Sequence, residues 1–146
     1  MKTEIRINPE LKEARIIIEA PVLDETISNI ARQLTQADRS LLCGQKDGVV
    51  RILKEEELIR LYAQDKKVYA QSAIGLYVLK KPLYELEEQL DPTHFVRISS
   101  SEIINLNKVR NFDLSLSGTI CVRLEPDITT YVSRRFVPKI RKKLGI

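Results

Sequence analysis

The sequence predicts an α+β protein, mostly β with short helices, in which a small strand–strand–helix unit precedes a larger strand-rich piece. Three observations predict it. From residue 41 onward, short apolar runs recur at regular spacing between turn residues, the pattern of a β-rich domain. Helical periodicity is confined to three short stretches. The charge also divides: residues 1–40 carry six basic and seven acidic side chains, net −1, whereas 41–146 carry eighteen and thirteen, net +5. A chain of 146 residues has room for one ordinary domain or a small domain with a short extension. The division is placed at 1–40 and 41–146.

In the first piece, Glu4-Ile5-Arg6-Ile7 alternates polar and apolar, as a half-buried strand does. Ala14 to Ala20 holds the β-branched run Ile16-Ile17-Ile18. After Pro21, Leu23, Ile27, Ile30, Ala31 and Leu34 mark one face of a helix, and Asp24 and Glu25 suit the positive end of its dipole.

The second piece predicts strands at Ser40–Cys43 and Val49–Leu53, joined by a turn carrying Asp47-Gly48. Lys54 to Glu57 is a polar connector. Leu58–Gln64, Val68–Ser72 and Leu76–Leu79 follow, the first two interrupted at Asp65-Lys66-Lys67. Pro82 opens a helix with a stripe of Leu83, Leu86 and Leu90, and Asp91-Pro92 stops it. Five more strands follow, at Phe95–Ile98, Ile103–Leu106, Val109–Leu114, Thr119–Leu124 and Thr129–Val132. Pro138 suits the first turn of a last helix with Val137, Ile140 and Leu144 on one side.

Composition excludes several classes of function. One histidine, His94, cannot build a multi-histidine metal site, and it reads as a turn or surface residue. Cys43 and Cys121 lie far apart, which excludes zinc fingers. They read as reduced core residues of a cytoplasmic protein, with a disulfide as the less favoured alternative. No run approaches the ~18 apolar residues of a membrane helix, and the start lacks a signal peptide's apolar stretch. No nucleotide-binding, hydrolase or metalloprotease motif occurs, so neither an enzyme nor a cofactor is expected. Glu55-Glu56-Glu57 and Glu87-Glu88 read as solvated faces.

Two segments stand out. In Phe95-Val96-Arg97-Ile98-Ser99-Ser100-Ser101-Glu102, a strand runs into three serines. They are either a Ser-rich turn or donors to phosphates and base edges. In Tyr131-Val132-Ser133-Arg134-Arg135-Phe136-Val137-Pro138, two arginines precede a helix that carries Lys139, Arg141, Lys142 and Lys143; no acid follows Asp127. This end is either a solvated basic tail or a footprint for an anion, since arginine can fork onto a phosphate or onto guanine.

Together these segments resemble the LytTR family of bacterial DNA-binding domains. The family pattern F-x-R-x-x-x-S-x-[IV]-[IV]-N is met by Phe95, Arg97, Ser101, Ile103, Ile104 and Asn105, and its later V-S-R-like loop by Val132-Ser133-Arg134-Arg135. The resemblance covers roughly 41–146 and rests on residue identities, not on composition or periodicity. It implies an elongated β-rich domain that lays three loops into successive major grooves of double-stranded DNA. Those loops match Lys66 and Lys67, Ser99 and Ser100, and Arg134 and Arg135. Arg135 matches the family's base-reading arginine. Ser100 takes a position often held by a longer side chain, and serine is too short to bond a base in two places. Arg97 is open to a structural or a DNA role. Lys139, Lys142 and Lys143 are expected to hold the DNA backbone.

Many family members carry a phosphoacceptor receiver domain ahead of the DNA-binding part. Forty residues cannot hold one, so a stand-alone transcriptional regulator is expected. The resemblance also implies repeated half-sites, hence a homodimer, and by analogy a membrane-protein inhibitor. The first forty residues are candidates for packing or dimerisation. The alternative reading is a protein-interaction module, regulated by a membrane partner, with no direct DNA role.

Overall fold

A computed structural model describes residues 1–37 and 41–146. The chain forms two units, Met1–Arg39 and Ser40–Ile146. In the first, α1 spans Glu25–Ala37. Asp24 caps it: its Oδ1 accepts the Ile27 N–H at 2.9 Å, satisfying a donor that the helix itself cannot reach. The expected strands at Glu4–Ile7 and Ala14–Ala20 do not form, because neither pairs with another segment among the described residues. A strand is held by its ladder, and β propensity alone supplies no partner.

Among the described residues the second unit holds ten strands and two α-helices. The strands are β1 (Cys43–Lys46), β2 (Val49–Ile52), β3 (Leu58–Gln64), β4 (Lys67–Ser72), β5 (Gly75–Leu79), β6 (Phe95–Ser99), β7 (Glu102–Asn105), β8 (Val109–Asp113), β9 (Ile120–Leu124) and β10 (Ile128–Val132). Helix α2 spans Leu83–Gln89 and α3 spans Val137–Leu144. Ser40, expected to begin the first strand here, lies outside the described residues. Seven strands form one antiparallel sheet in the order β2-β1-β5-β4-β3-β7-β6, and the last three form a second in the order β10-β9-β8.

Turn chemistry explains the hairpins. Asp47 and Gly48 have φ of 52° and 77°, the two left-handed residues of a tight hairpin turn. The β3–β4 turn has the same geometry, at Asp65 (φ 51°) and Lys66 (φ 64°). It is therefore two residues long, and Lys67 already opens β4. Gly44 answers a close approach: a Cβ there would lie 2.6 Å from that of Tyr77.

Two apolar cores lie on opposite faces of the larger sheet. On one face, Leu83, Leu86 and Leu90 pack with Leu58, Leu61, Phe95 and Ile103. On the other, Ile59, Val96, Ile98 and Ile104 pack with Ile120, Val122, Leu124 and Val132 of the smaller sheet and Ile140 of α3. Strands β3, β6 and β7 are thus covered on both sides. Cys121 is buried, but Cys43 is exposed and not part of the core; both are free thiols. Cys43 alternates with buried neighbours Leu42 and Gly44, so the pleat turns it to solvent.

Asn105 is the most deeply buried polar side chain among the described residues, at 2% exposure. Its Nδ2 donates to the Leu58 carbonyl at 2.7 Å and its Oδ1 accepts the Asn107 N–H at 3.0 Å. One side chain therefore fixes the start of β3 and the turn after β7. Asn105→Ala leaves both backbone groups short of a partner and is expected to cost about 1–3 kcal/mol of folding free energy, read as a lower urea midpoint with an unchanged slope.

Candidate nucleic-acid interface

Three hydrogen bonds assemble the end of the domain where the conspicuous residues sit. The Ala63 N–H donates to the Ser101 carbonyl at 2.8 Å, placing the β3–β4 turn beside the β6–β7 turn. The Ser133 N–H donates to the Ile98 carbonyl at 2.9 Å, joining the end of β10 to the end of β6. Thr130 Oγ1 donates to Glu102 Oε1 at 2.8 Å, tying β10 to β7. The Ile98 carbonyl is available because β6 bulges between Arg97 and Ser99, and a bulge leaves one residue out of the ladder. Lys66 and Lys67, Ser99 and Ser100, and Arg134 and Arg135 are therefore brought to one end, on three turns from separate parts of the chain.

Arg97 organises the central turn. Its Nε donates to the Ser99 carbonyl at 2.7 Å and its Nη2 to the Ser100 carbonyl at 2.5 Å. Its Nη1 donates to Glu87 Oε2 on α2 at 2.8 Å. The guanidinium is committed on three sides and its side chain is 14% exposed, so its role here is structural. Ser99 Oγ is engaged within the turn, accepting the Ser101 N–H at 3.1 Å. Ser100 is exposed.

Arg134 and Arg135 are exposed on a single 3-10 turn that runs directly into α3. Arg135 lies over the Phe136 ring, 4.9 Å from its centroid, and Phe136 packs against the second core. The ring gives the guanidinium a flat, anchored surface, which lowers the entropy it loses on binding. Arg134 lies beside Gly118, the turn before β9.

The three helix lysines differ in their surroundings. Lys139 Nζ is 3.7 Å from Glu87 Oε1, and Lys143 Nζ donates to the Pro92 carbonyl at 2.6 Å. Lys142 is exposed and forms no ion pair among the described residues. Glu87, expected to be merely solvated, thus holds both Arg97 and Lys139. No local pattern marks it, since its partners lie on β6 and α3. His94 is half-buried, its Nδ1 within 3.1 Å of Asn107 Nδ2. Among the described residues no group of acids, cysteines and histidine could hold a metal ion, and no helix is long and apolar enough to cross a membrane.

Exposed cations and the exposed Ser100 gather on three adjoining turns of a β scaffold, an arrangement chemically suited to an anionic ligand. The comparisons with known proteins narrow this. The model of the LytTr DNA-binding domain matches residues 49–145, and the chain belongs to that family. Relatives from Staphylococcus aureus strains MRSA252 and NCTC 8325, both described as HTH-type transcriptional regulators, are each 35% identical over 147 residues, covering 100% of this chain and 99% of the relative. A solved LytTr DNA-binding domain, from a methyl-accepting/DNA response regulator of Bacillus cereus, superposes with a TM-score of 0.71 at 23% identity, covering 74% of this chain and 99% of that one. At that identity the likeness is one of fold. The protein is a DNA-binding regulator with a mostly β LytTR fold.

Lys66 sits in the left-handed region, where a side chain costs about 1–2 kcal/mol and glycine does not. Lys66→Gly is therefore expected to raise stability slightly, by up to about 1 kcal/mol after glycine's own entropy is counted, while weakening DNA binding. Thermal unfolding and a gel shift on the same variant check both halves.

Proposed function

We propose that the protein is a sequence-specific transcriptional regulator of the cytoplasm that lays its three turns into successive major grooves of double-stranded DNA, with two copies on repeated half-sites. The observation that supports this best is the meeting of the three turns at one end, with Lys66, Lys67, Arg134 and Arg135 all exposed there. Arg135 reads a base, because it is the arginine already held flat against an anchored ring. Arg134 and the lysines of the β3–β4 turn contact phosphates. Ser100 adds a single bond, and Ser99 shapes the turn from inside. Lys142 holds the backbone; Lys139 and Lys143 contribute less, since part of their donor capacity is already used within the chain.

A gel shift with the DNA upstream of the protein's own gene, at two salt concentrations, tests the reading. Binding that falls as salt rises is expected, and no binding at low salt would leave a protein-interaction role instead. Arg135→Ala is expected to cost about 1–3 kcal/mol and to relax preference at one base position. An equal loss on every sequence would make it a phosphate contact. Lys142→Ala is expected to reduce the slope of log affinity against log salt by about one. Lys139→Ala should reduce it by clearly less, because Glu87 already offsets that charge.

A further inference from the structure

The first unit exposes its most apolar segment: Ile16 is 70% and Ile17 66% exposed. Leu23, just ahead of α1, and Leu34 within it add to the uncovered apolar surface. In an extended chain, Arg15, Ile17 and Glu19 share one side, and Ala14, Ile16, Ile18 and Ala20 share the other. Among the described residues neither Arg15 nor Glu19 forms an ion pair, whereas Glu4 and Arg6, on the shorter apolar segment, already pair within the chain at 3.0 Å.

We propose that residues 14–20 pair antiparallel with the same residues of a second copy, about a two-fold axis through Ile17. An isologous contact requires that residue i meet j and j meet i. Centred on Ile17, the register sets Arg15 of each copy opposite Glu19 of the other, Ile16 opposite Ile18, and Ala14 opposite Ala20. Both charge pairs are then opposite in sign, and the apolar side is continuous. A register shifted by one residue would lose both pairs, which makes the pairing specific. A two-stranded ribbon is marginal by itself, and the apolar stripe of α1 (Ile27, Ile30 and Leu34) from each copy supplies the cover it needs. The charge distribution favours this site for joining copies: residues 1–40 carry net −1, while 41–146 carry +5 and repel their like.

This proposal rests on the reading that two copies act on one DNA, and its test is independent of DNA. The full chain, free of DNA, is expected to sediment as a dimer. Arg15→Glu sets like charges opposite each other twice and is expected to weaken the dimer about tenfold. The double variant Arg15→Glu with Glu19→Arg restores it. On a Cys43→Ser background, Ile17→Cys is expected to give a covalent dimer under mild oxidation, because the two Cα atoms face each other at the axis. Ile16→Cys is expected to stay largely uncrosslinked. A monomeric mass at all concentrations overturns the proposal, as does failure of the double variant to restore what the single one loses, or crosslinking through Ile16→Cys in preference to Ile17→Cys. A monomer that still shifts the upstream DNA overturns the pairing and leaves the DNA reading standing.

Discussion

The burial of β3, β6 and β7 on both faces is the constraint from which the rest of the larger unit follows. Leu58, Leu61, Phe95 and Ile103 face one core while Ile59, Val96, Ile98 and Ile104 face the other. A strand covered on both sides cannot slip by one residue, because every side chain would change core. The register is therefore fixed, and with it the positions of the turns at the ends of these strands. Close packing leaves the interior little room to deform, so the turns have a firm base. The three strands end together, and the smaller sheet lies against them closely enough for Ser133 to bond Ile98. A surface of three unrelated sequence segments results from one packing requirement.

Within this frame, acids sort the cations. Glu87 takes Arg97 and Lys139, and Glu102 takes Arg60 at 3.3 Å while accepting from Thr130. The arginines nearest the core are thereby neutralised and used as struts, since a buried guanidinium without a partner is costly. The cations on the rim keep their charge for an external anion. The modest net excess of +4 understates this separation, because Glu57, Glu87, Glu102 and Asp113 are already paired within the larger unit.

Much of the fold was legible in the sequence. Turn residues set the hairpins at Asp47-Gly48 and Asp65-Lys66, and apolar patterning located nine of the ten strands of the larger unit to within one residue; the first was expected at Ser40–Cys43 and meets β1 (Cys43–Lys46) only at Cys43. The exceptions are instructive. Ile16-Ile17-Ile18 has strand chemistry but no ladder, because a strand is a relation between two segments and propensity describes only one. Cys43 was taken for a core residue on its type, yet the pleat sends it outward. Glu87 lay in a run of like charges that reads as solvated, and only the approach of β6 and α3 from other parts of the chain gives it a role.

The site divides in the same way. The identity of residues, Phe95, Arg97, Ser101, Ile103, Ile104 and Asn105 above all, determined the family and hence the kind of molecule this domain addresses. Apolar spacing and turn chemistry determined where strands begin and end, because both act over a few neighbouring residues. Only the tertiary structure decided which cations have partners within the chain: Arg97 and Lys139 are held by one carboxylate and Lys143 by a carbonyl, while Arg134, Arg135 and Lys142 form no ion pair among the described residues. The physical reason is range. A charge is neutralised by whatever group packing brings within about 4 Å, and no local pattern records what arrives from fifty residues away.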